Sequence, residues 1–219
     1  ALLNLNKALN GDADAQLQIG HLISIFGQSK TAEDWYEKSA INGNSEAQNL
    51  MGVVFGGSNF TIDPSEDANI KISLFWLKKA AQQGSAEAQN NLGVAYQNGT
   101  GVNIDIEQAL YWYELSASQN YPMAMRNLGS IYLTIFDEPI KAIEYYKKAF
   151  ELGTITAAWD LGVIYLKGRE GVKVNEELAF EWMLKAAKSF YMPAEFEVSI
   201  MYLDGTGVPV DENESTLWL

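Results

Sequence analysis

The sequence lacks cysteine altogether and contains a single histidine, His21, among its 219 residues. The absence of cysteine excludes disulfides, zinc–thiolate sites and cysteine nucleophiles, and it is compatible with any redox compartment. One histidine also excludes metal sites built on several imidazoles. No apolar run approaches the ~18 to 20 residues that a membrane-spanning helix requires, so we expect no membrane insertion.

Basic residues are scarce as well. The chain has 15 Lys and Arg against 28 Asp and Glu, which gives a net charge of −13. Nucleic acids and anionic membranes are bound through clustered Lys and Arg, so this balance disfavours both as partners. Hydrophobic residues make up 47% of the chain and charged residues 20%, which is typical of a folded protein rather than a disordered one.

What the sequence does contain is a repeat. A glycine recurs in an Ile-Gly, Met-Gly or Leu-Gly pair, with Ser199 in its place in the last unit, and the intervals are 32, 41, 36, 33 and 37 residues. An alanine stands five residues before each of these positions, and an aromatic residue follows further along each unit. A period of this length is the signature of a helical repeat. The glycines are Gly20, Gly52, Gly93, Gly129 and Gly162, and the aromatics are Trp35, Trp76, Trp112, Tyr145, Trp182 and Trp218.

Each unit is predicted to form two helices. Ala88, Leu92 and Tyr96 are spaced four apart and share one face of a first helix, and Ala109 and Trp112 do the same on a second. Glycines at 99–102, 168–172 and 205–208 supply a turn with positive φ between the helices. The glycine inside the first helix normally costs ~1 kcal/mol relative to Ala, so its recurrence predicts a close approach between helices where a Cβ would clash. Small residues and aromatics would then interlock between stacked pairs.

These motifs resemble the Sel-one-like repeat, a relative of the tetratricopeptide repeat. The pattern is A-x-A-x-x-x-L-G-x-x-Y, a G-x-G-V turn, then A-x-x-W and A-A-x-x-G. The resemblance implies an all-α fold, an α/α solenoid forming a right-handed superhelix of about six two-helix repeats.

The repeat frame predicts a single array over 1–219. Residues 1–11 form a half-repeat, and both ends interrupt a unit, from which we expect a fragment of a longer array. Residues 56–73 carry an insertion that departs from the usual repeat length. The repeats are expected at approximately 12–44, 45–84, 85–120, 121–153, 154–191 and 192–219, the last of them incomplete.

The resemblance also implies a binding surface. In tetratricopeptide-like repeats the first helices line a concave face, at positions three before, one after and four after the glycine. This lining changes from polar to strongly apolar toward the C-terminus, and an exposed apolar patch marks an interaction site. The alternative is that these side chains pack beneath a further unit. The predicted partner-binding residues are His21, Asn90, Val94, Arg126, Trp159, Val163, Leu166, Phe196, Ile200 and Leu203.

Residues able to carry chemistry have ordinary structural interpretations. No nucleophile can be placed beside His21 by spacing, and GTGV lacks the Gly-Lys-Ser/Thr of a phosphate loop. The acidic run at 63–69 suggests calcium only loosely, since it lacks EF-hand ligand spacing. Glu176–Glu177 and Asp211–Glu212 stand where acids complement a helix dipole. We therefore expect no catalytic residue, metal or cofactor.

The leading hypothesis is a non-enzymatic adaptor that binds a protein or peptide on its concave face. The resemblance implies a bacterial protein of the periplasm or exterior, with the cytoplasm also open. A second hypothesis is an acidic inhibitor or immunity-type protein that masks a basic partner, whose association rate would depend steeply on salt. A carboxylate hydrolase would require acids converging beside an apolar pocket, and a glycan-binding protein would require exposed aromatic platforms.

Overall fold

A computed structural model describes residues 2–56 and 67–218, and these ranges are almost entirely helical. No sheet forms within them, although an isolated antiparallel bridge joins Arg169 and Val172. The all-α prediction is confirmed. The helices are α1 (Leu2–Leu9), α2 (Ala13–Ile25), α3 (Ser29–Ile41), α4 (Ser45–Gly56), α5 (Asp67–Gln82), α6 (Ala86–Asn98), α7 (Ile106–Ser118), α8 (Pro122–Thr134), α9 (Pro139–Glu151), α10 (Ile155–Lys167), α11 (Glu176–Ala187), α12 (Met192–Asp204) and α13 (Glu212–Leu217).

The chain divides into two compact units, Ala1–Gln119 and Asn120–Leu219. The first unit contains α1 to α7 and the second contains α8 to α13. Within each unit, a first helix packs against the second helix that follows it, as in α6 with α7 and α10 with α11. The core of each unit lies between these helices and is rich in alanine, which allows close packing.

Side-chain caps explain where many of the helices begin. Asp12 caps α2 and Ser85 caps α6, each accepting a hydrogen bond from the backbone N–H of the recurring alanine three residues on. Asn175 caps the second helix α11 in the same way. A cap of this kind satisfies one of the N–H groups that a helix start leaves without a partner, typically worth ~1 kcal/mol.

The predicted glycine turns between paired helices are confirmed. Gly99 and Gly101 have φ of +73° and +67°, and Gly205 and Gly207 have +80° and +70°. These angles lie in the left-handed region, which glycine adopts without the steric cost of a Cβ. The same turn therefore recurs after α6 and α12.

The predicted close approach at the recurring glycine is confirmed. The side chain that each glycine approaches was not identified from the sequence. In five helix pairs, a Cβ added to the glycine would lie 2.5–2.8 Å from a side chain of the following second helix. That side chain always belongs to the residue directly after the recurring aromatic, so it fills the space within its own pair. The contacts are Gly20 with Tyr36, Gly52 with Leu77, Gly93 with Tyr113, Gly129 with Tyr146, and Gly162 with Met183.

The expected packing of the recurring aromatic between pairs is also present. Trp76 lies in a buried cluster with Leu17 of the preceding pair. Trp182 packs edge to face with Phe150 of the preceding pair.

Several of the recurring aromatics are also covered by lysine on their outer face. Lys38 lies 4.6 Å from the ring centre of Trp35, and Lys185 lies 3.8 Å from that of Trp182. Lys185 also follows its aromatic by three residues, which places the two on one helix face. Through such cation–π contacts, some of the few basic side chains pack against aromatic rings.

A ladder of glutamine hydrogen bonds runs through the first unit, and it was not anticipated from the sequence. The residue four before each glycine is glutamine: Gln16, Gln48 and Gln89. Each is buried and donates to a backbone carbonyl of the preceding second helix, at 2.9, 3.0 and 3.1 Å. Each also accepts from an amide near the end of its own pair, so that both polar groups of the side chain are used.

Substituting alanine at Gly93 tests the close approach. Its Cβ would lie 2.7 Å from Cδ1 and Cε1 of Tyr113, whose buried hydroxyl is held by Gln97. Although alanine is favoured in helices by ~1 kcal/mol, overpacking costs ~1–3 kcal/mol, so we expect a net loss of stability in urea unfolding. Gly162→Ala should be destabilising as well, because its Cβ would lie 2.5 Å from Cγ of Met183 and 3.3 Å from the backbone oxygen of Ala179. A stabilised Gly93→Ala variant would contradict this account.

A residue shortly after the second helix also has positive φ in five repeats, even where it is not glycine. Gly43, Gly84 and Gly153 have φ of +99°, +90° and +98°, and Asn120 and Phe190 both have +61°. Phe190 departs from the sequence pattern but not from the backbone conformation. A bulky residue at positive φ is strained, and 90% of Phe190 is exposed, so packing does not offset that strain.

We therefore expect Phe190→Gly to stabilise the protein. Removing the Cβ relieves ~1–2 kcal/mol of left-handed strain, of which part is lost to the greater flexibility of unfolded glycine. Gly153→Phe is the matched opposite change, since φ at Gly153 is +98° and a Cβ there meets nothing within 4 Å. It should destabilise. Thermal unfolding followed by circular dichroism measures both, and equal melting temperatures for all three proteins would refute the strain.

Candidate interaction surface

The structure distributes the predicted binding residues over three levels of exposure. His21, Phe196 and Leu203 are exposed, while Asn90 is buried. The other six are half-buried: Val94, Arg126, Trp159, Val163, Leu166 and Ile200. All ten lie on first helices, namely α2, α6, α8, α10 and α12. Their role in binding stays a prediction.

Asn90 is not available at the surface, which corrects the expectation that it faces a groove. The position three before the glycine turns instead toward a neighbouring first helix. In the first unit, Asn49 occupies this position in α4 and accepts a 3.3 Å hydrogen bond from Asn91 of α6. In the second unit, Arg126 of α8 occupies it and binds Asp160 of α10. This position therefore forms the seam between successive first helices.

Arg126 and Asp160 form a two-pronged ion pair. Nε of Arg126 donates to one carboxylate oxygen at 2.6 Å, and Nη2 donates to the other at 3.2 Å. The side chains are 32% and 19% exposed, so the pair is partly shielded from water. This geometry matches the planar guanidinium to the carboxylate and fixes the register of α8 against α10.

Burial sets the electrostatics of this pair. Removal from water raises the pKa of Asp160 above its ordinary value, and the hydrogen bond and charge of Arg126 oppose that rise without cancelling it. Burial lowers the pKa of Arg126, but the hydrogen bond and charge of Asp160 outweigh this and raise it. Tyr146, which fills the space at Gly129, lies close enough for both charges to act on its pKa, which burial raises.

The end of the second unit presents apolar side chains to solvent. Phe196 occupies the seam position of α12 yet is 58% exposed, and Leu203, two turns further on, is 57% exposed. Met192, one turn before Phe196, is 76% exposed and was missed by the sequence analysis. The four-residue spacing from Met192 to Phe196 is the signal that would have found it.

His21 contacts the side chains of a glutamate and a tyrosine. Its Nε2 lies 3.4 Å from a carboxylate oxygen of Glu46, and its Nδ1 lies 3.4 Å from the hydroxyl of Tyr36. The His21 and Tyr36 rings also pack edge to face with centres 5.4 Å apart. His21 therefore joins α2 to α3 and α4 at the surface of the first unit.

The paired carboxylates serve helix starts, as predicted. Glu176 and Glu177 lie in the first turn of α11, are exposed, and line a depression of about 650 Å³ with Val174 and Val208. Asp211 caps α13 by accepting from the backbone N–H groups of residues 213 and 214. Acidic groups at these places are stabilised by the helix dipole.

Over residues 2–56 and 67–218, no group of three or more His, Asp or Glu side chains is arranged to hold a metal ion. Nor does any helix in these ranges have the length and apolarity to cross a membrane. Residues 63–66 of the acidic run considered for calcium, and most of the insertion at 56–73, lie outside the described residues, whereas residues 67–69 form the start of α5.

The paired helices and the apolar first-helix surface define a protein of the tetratricopeptide-like repeat class. Comparison with sequence families then narrows the class. The Sel1 repeat matches six segments: residues 13–44, 45–85, 86–121, 137–154, 155–189 and 193–219. The chain belongs to the Sel1 repeat family, whose proteins generally mediate protein–protein interactions and are typically non-enzymatic scaffolds. The resemblance noted in the sequence is confirmed.

Solved structures with the same fold include two that are informative. The chain is 28% identical to a protective antigen of uropathogenic Escherichia coli with an SLR fold, with a TM-score of 0.82, and the match covers 99% of this chain and 46% of the antigen. It therefore spans less than half the length of that antigen. A Sel1 repeat protein of Oxalobacter formigenes is 27% identical with a TM-score of 0.73, covering 93% of this chain and 80% of the other.

An immunity protein of Pseudomonas aeruginosa is more distant. It is 16% identical with a TM-score of 0.61, and the match covers 94% of this chain and 78% of that protein, which shows a shared fold alone. A comparison with curated proteins finds no match.

Removing Arg126 tests the seam between α8 and α10. Arg126→Ala leaves the carboxylate of Asp160 partly buried without its cation, which should lower the free energy of unfolding near pH 7 by about 1–3 kcal/mol. Without Arg126 the pKa of Asp160 rises further above 3.8, so the charged form is penalised in the folded state at higher pH. The loss of stability caused by the charged Asp160 should lessen as the pH falls through the raised pKa of Asp160, because the carboxylate then becomes protonated.

Urea unfolding near pH 7 and near pH 5 measures this effect. The gap in stability between Arg126→Ala and the parent should narrow at the lower pH. Adding Asp160→Asn to Arg126→Ala is the control, and it should remove the narrowing. A gap that is the same at both pH values would show that Asp160 is not the group responsible.

Proposed function

We propose that the chain is a non-enzymatic adaptor that binds a protein or peptide through the first helices of its second unit. Membership of the Sel1 repeat family supports the class of function. We infer the location of the binding surface from the exposure of Phe196 and Leu203 on α12. They lie next to the half-buried Trp159 and Val163 on α10. Apolar groups that remain in water are available to bury against a partner, and aromatic residues are frequent anchors of such interfaces.

A second candidate is an immunity-type inhibitor that masks a basic partner. The net charge of −13 favours fast encounter with a basic surface, and the fold shared with an immunity protein of Pseudomonas aeruginosa is compatible with it. The two functions differ in one observable. An inhibitor abolishes an activity of its partner, whereas an adaptor leaves that activity intact and joins the partner to something else.

The double variant Trp159→Ala and Phe196→Ala tests the proposed surface. Proteins captured from an extract of the source cells by the immobilised chain, identified by mass spectrometry, should be lost from the variant, because both anchors are removed. Leu22→Ala with Val54→Ala is the matched control, since these exposed apolar residues lie on first helices outside the proposed surface. Circular dichroism must show that both variants remain folded.

Retention of every captured protein by the folded double variant would contradict the proposed surface. Loss from the control variant as well would show that the capture is non-specific adhesion to apolar side chains.

A further inference from the structure

An apolar stripe runs along one face of α12. It consists of Met192, Phe196, Ile200 and Leu203, spaced by four, four and three residues, which places them on one side of a helix. The stripe extends for about 16 Å, or three turns. At the same positions, Ile155, Trp159, Val163 and Leu166 line α10.

The two stripes differ in how far they are covered. Trp159 is half-buried and packs edge to face with Tyr191, at 5.9 Å between ring centres. Trp159, Val163 and Leu166 all pack against the core cluster of the second unit. On α12, Phe196 and Leu203 keep more than half of their surface in water.

A cavity lies at the beginning of the α12 stripe. It has a volume of about 320 Å³ and is lined by Met192, Pro193, Glu195, Phe196 and Trp218. Four of these residues are apolar and one is acidic. The volume is at the lower end of the range for ligand pockets, ~300–1,000 Å³, and suits one inserted side chain rather than a large cofactor.

The segment of the chain that holds the stripe carries charge of one sign. Six acidic residues and no basic residue occur after Lys188: Glu195, Glu197, Asp204, Asp211, Glu212 and Glu214. Glu195 lines the cavity itself, and Glu197 is the next acid on α12. An acidic partner would be repelled here, whereas Lys or Arg on a partner would find complementary carboxylates.

We propose that the α12 stripe docks a basic amphipathic helix of a partner protein. About three turns of that helix would lay apolar side chains along the stripe, and one of them would enter the cavity beside Trp218. Lys or Arg on its flanks would face Glu195 and Glu197. This inference rests on the proposed adaptor function and names the chemistry of its partner; helix-in-groove binding of this kind uses anchors at i, i+3 or i+4, and i+7.

Two labelled peptides of about 14 residues test the proposal by fluorescence anisotropy. One carries leucine at helical spacing with lysine elsewhere, and the other has glutamate in place of each lysine. The lysine peptide should bind at least about tenfold more tightly. Its affinity should fall several-fold between about 50 and about 300 mM salt, yet binding should persist, since the apolar contact is not screened.

Variants of the chain locate the site. Phe196→Ser with Leu203→Ser should weaken the lysine peptide at least about tenfold, because both anchors lose their contact. Glu195→Gln with Glu197→Gln should weaken it only several-fold, and mainly at low salt. The control Leu22→Ser with Val54→Ser, which alters exposed side chains of the first unit, should leave the affinity unchanged.

Three results would overturn the proposal. The first is equal binding of the lysine and glutamate peptides. The second is an unchanged affinity in Phe196→Ser with Leu203→Ser, which would place the peptide elsewhere on the acidic surface. The third is a dimer of the unliganded chain in sedimentation that this variant abolishes and the peptide does not displace, which would make a second copy the occupant.

The adaptor function can be judged separately. If the lysine peptide does not bind but captured proteins are still lost from Trp159→Ala with Phe196→Ala, the surface is correct and the chemistry of its partner is wrong. If the captured proteins are retained, the adaptor surface itself is wrong.

Discussion

The arrangement of five helix pairs depends on the contact between a glycine and the side chain that fills the space beside it. In the first unit, Tyr36 meets Gly20 and Tyr113 meets Gly93, and in the second, Tyr146 meets Gly129. A close-packed interior transmits any change in volume to its neighbours, so this one contact fixes the distance between two helices. It thereby also fixes which side chains of the first helix face outward. The absence of a Cβ at the recurring glycine therefore helps to determine which side chains are exposed.

The sequence predicts the features that recur at a fixed spacing. The glycine, the alanine five residues before it and the glycine turns identify the helices and their close approach, because each is a local or periodic requirement of the backbone. It does not identify contacts between distant residues of different types. Arg126 and Asp160 are 34 positions apart, and neither belongs to the repeating pattern. Asn90 likewise appears available in the repeat frame, and only the neighbouring helix reveals that it is buried.

The two units use the position four before the glycine in different ways. In the first unit it is the buried glutamine, whose amide nitrogen and carbonyl oxygen each make a hydrogen bond and which joins each pair to the preceding helix. In the second unit the same position holds Met125, Ala158 and Glu195. The helices α8 and α10 have no polar side chain at this position. Their relative position is therefore set by the ion pair of Arg126, since apolar packing alone is not directional.

Glu195 connects this difference to the surface. A buried glutamine at its position would satisfy a backbone carbonyl, whereas Glu195 lines the cavity on α12 and leaves a carboxylate beside apolar Met192 and Phe196. On an apolar surface bordered by acidic residues, the rates of association and dissociation depend on different groups. Charge accelerates the encounter and is weakened by salt, while buried apolar area slows dissociation and is not. Phe190, held exposed in a strained conformation just before α12, shows that stability has not been optimised at this end of the second unit.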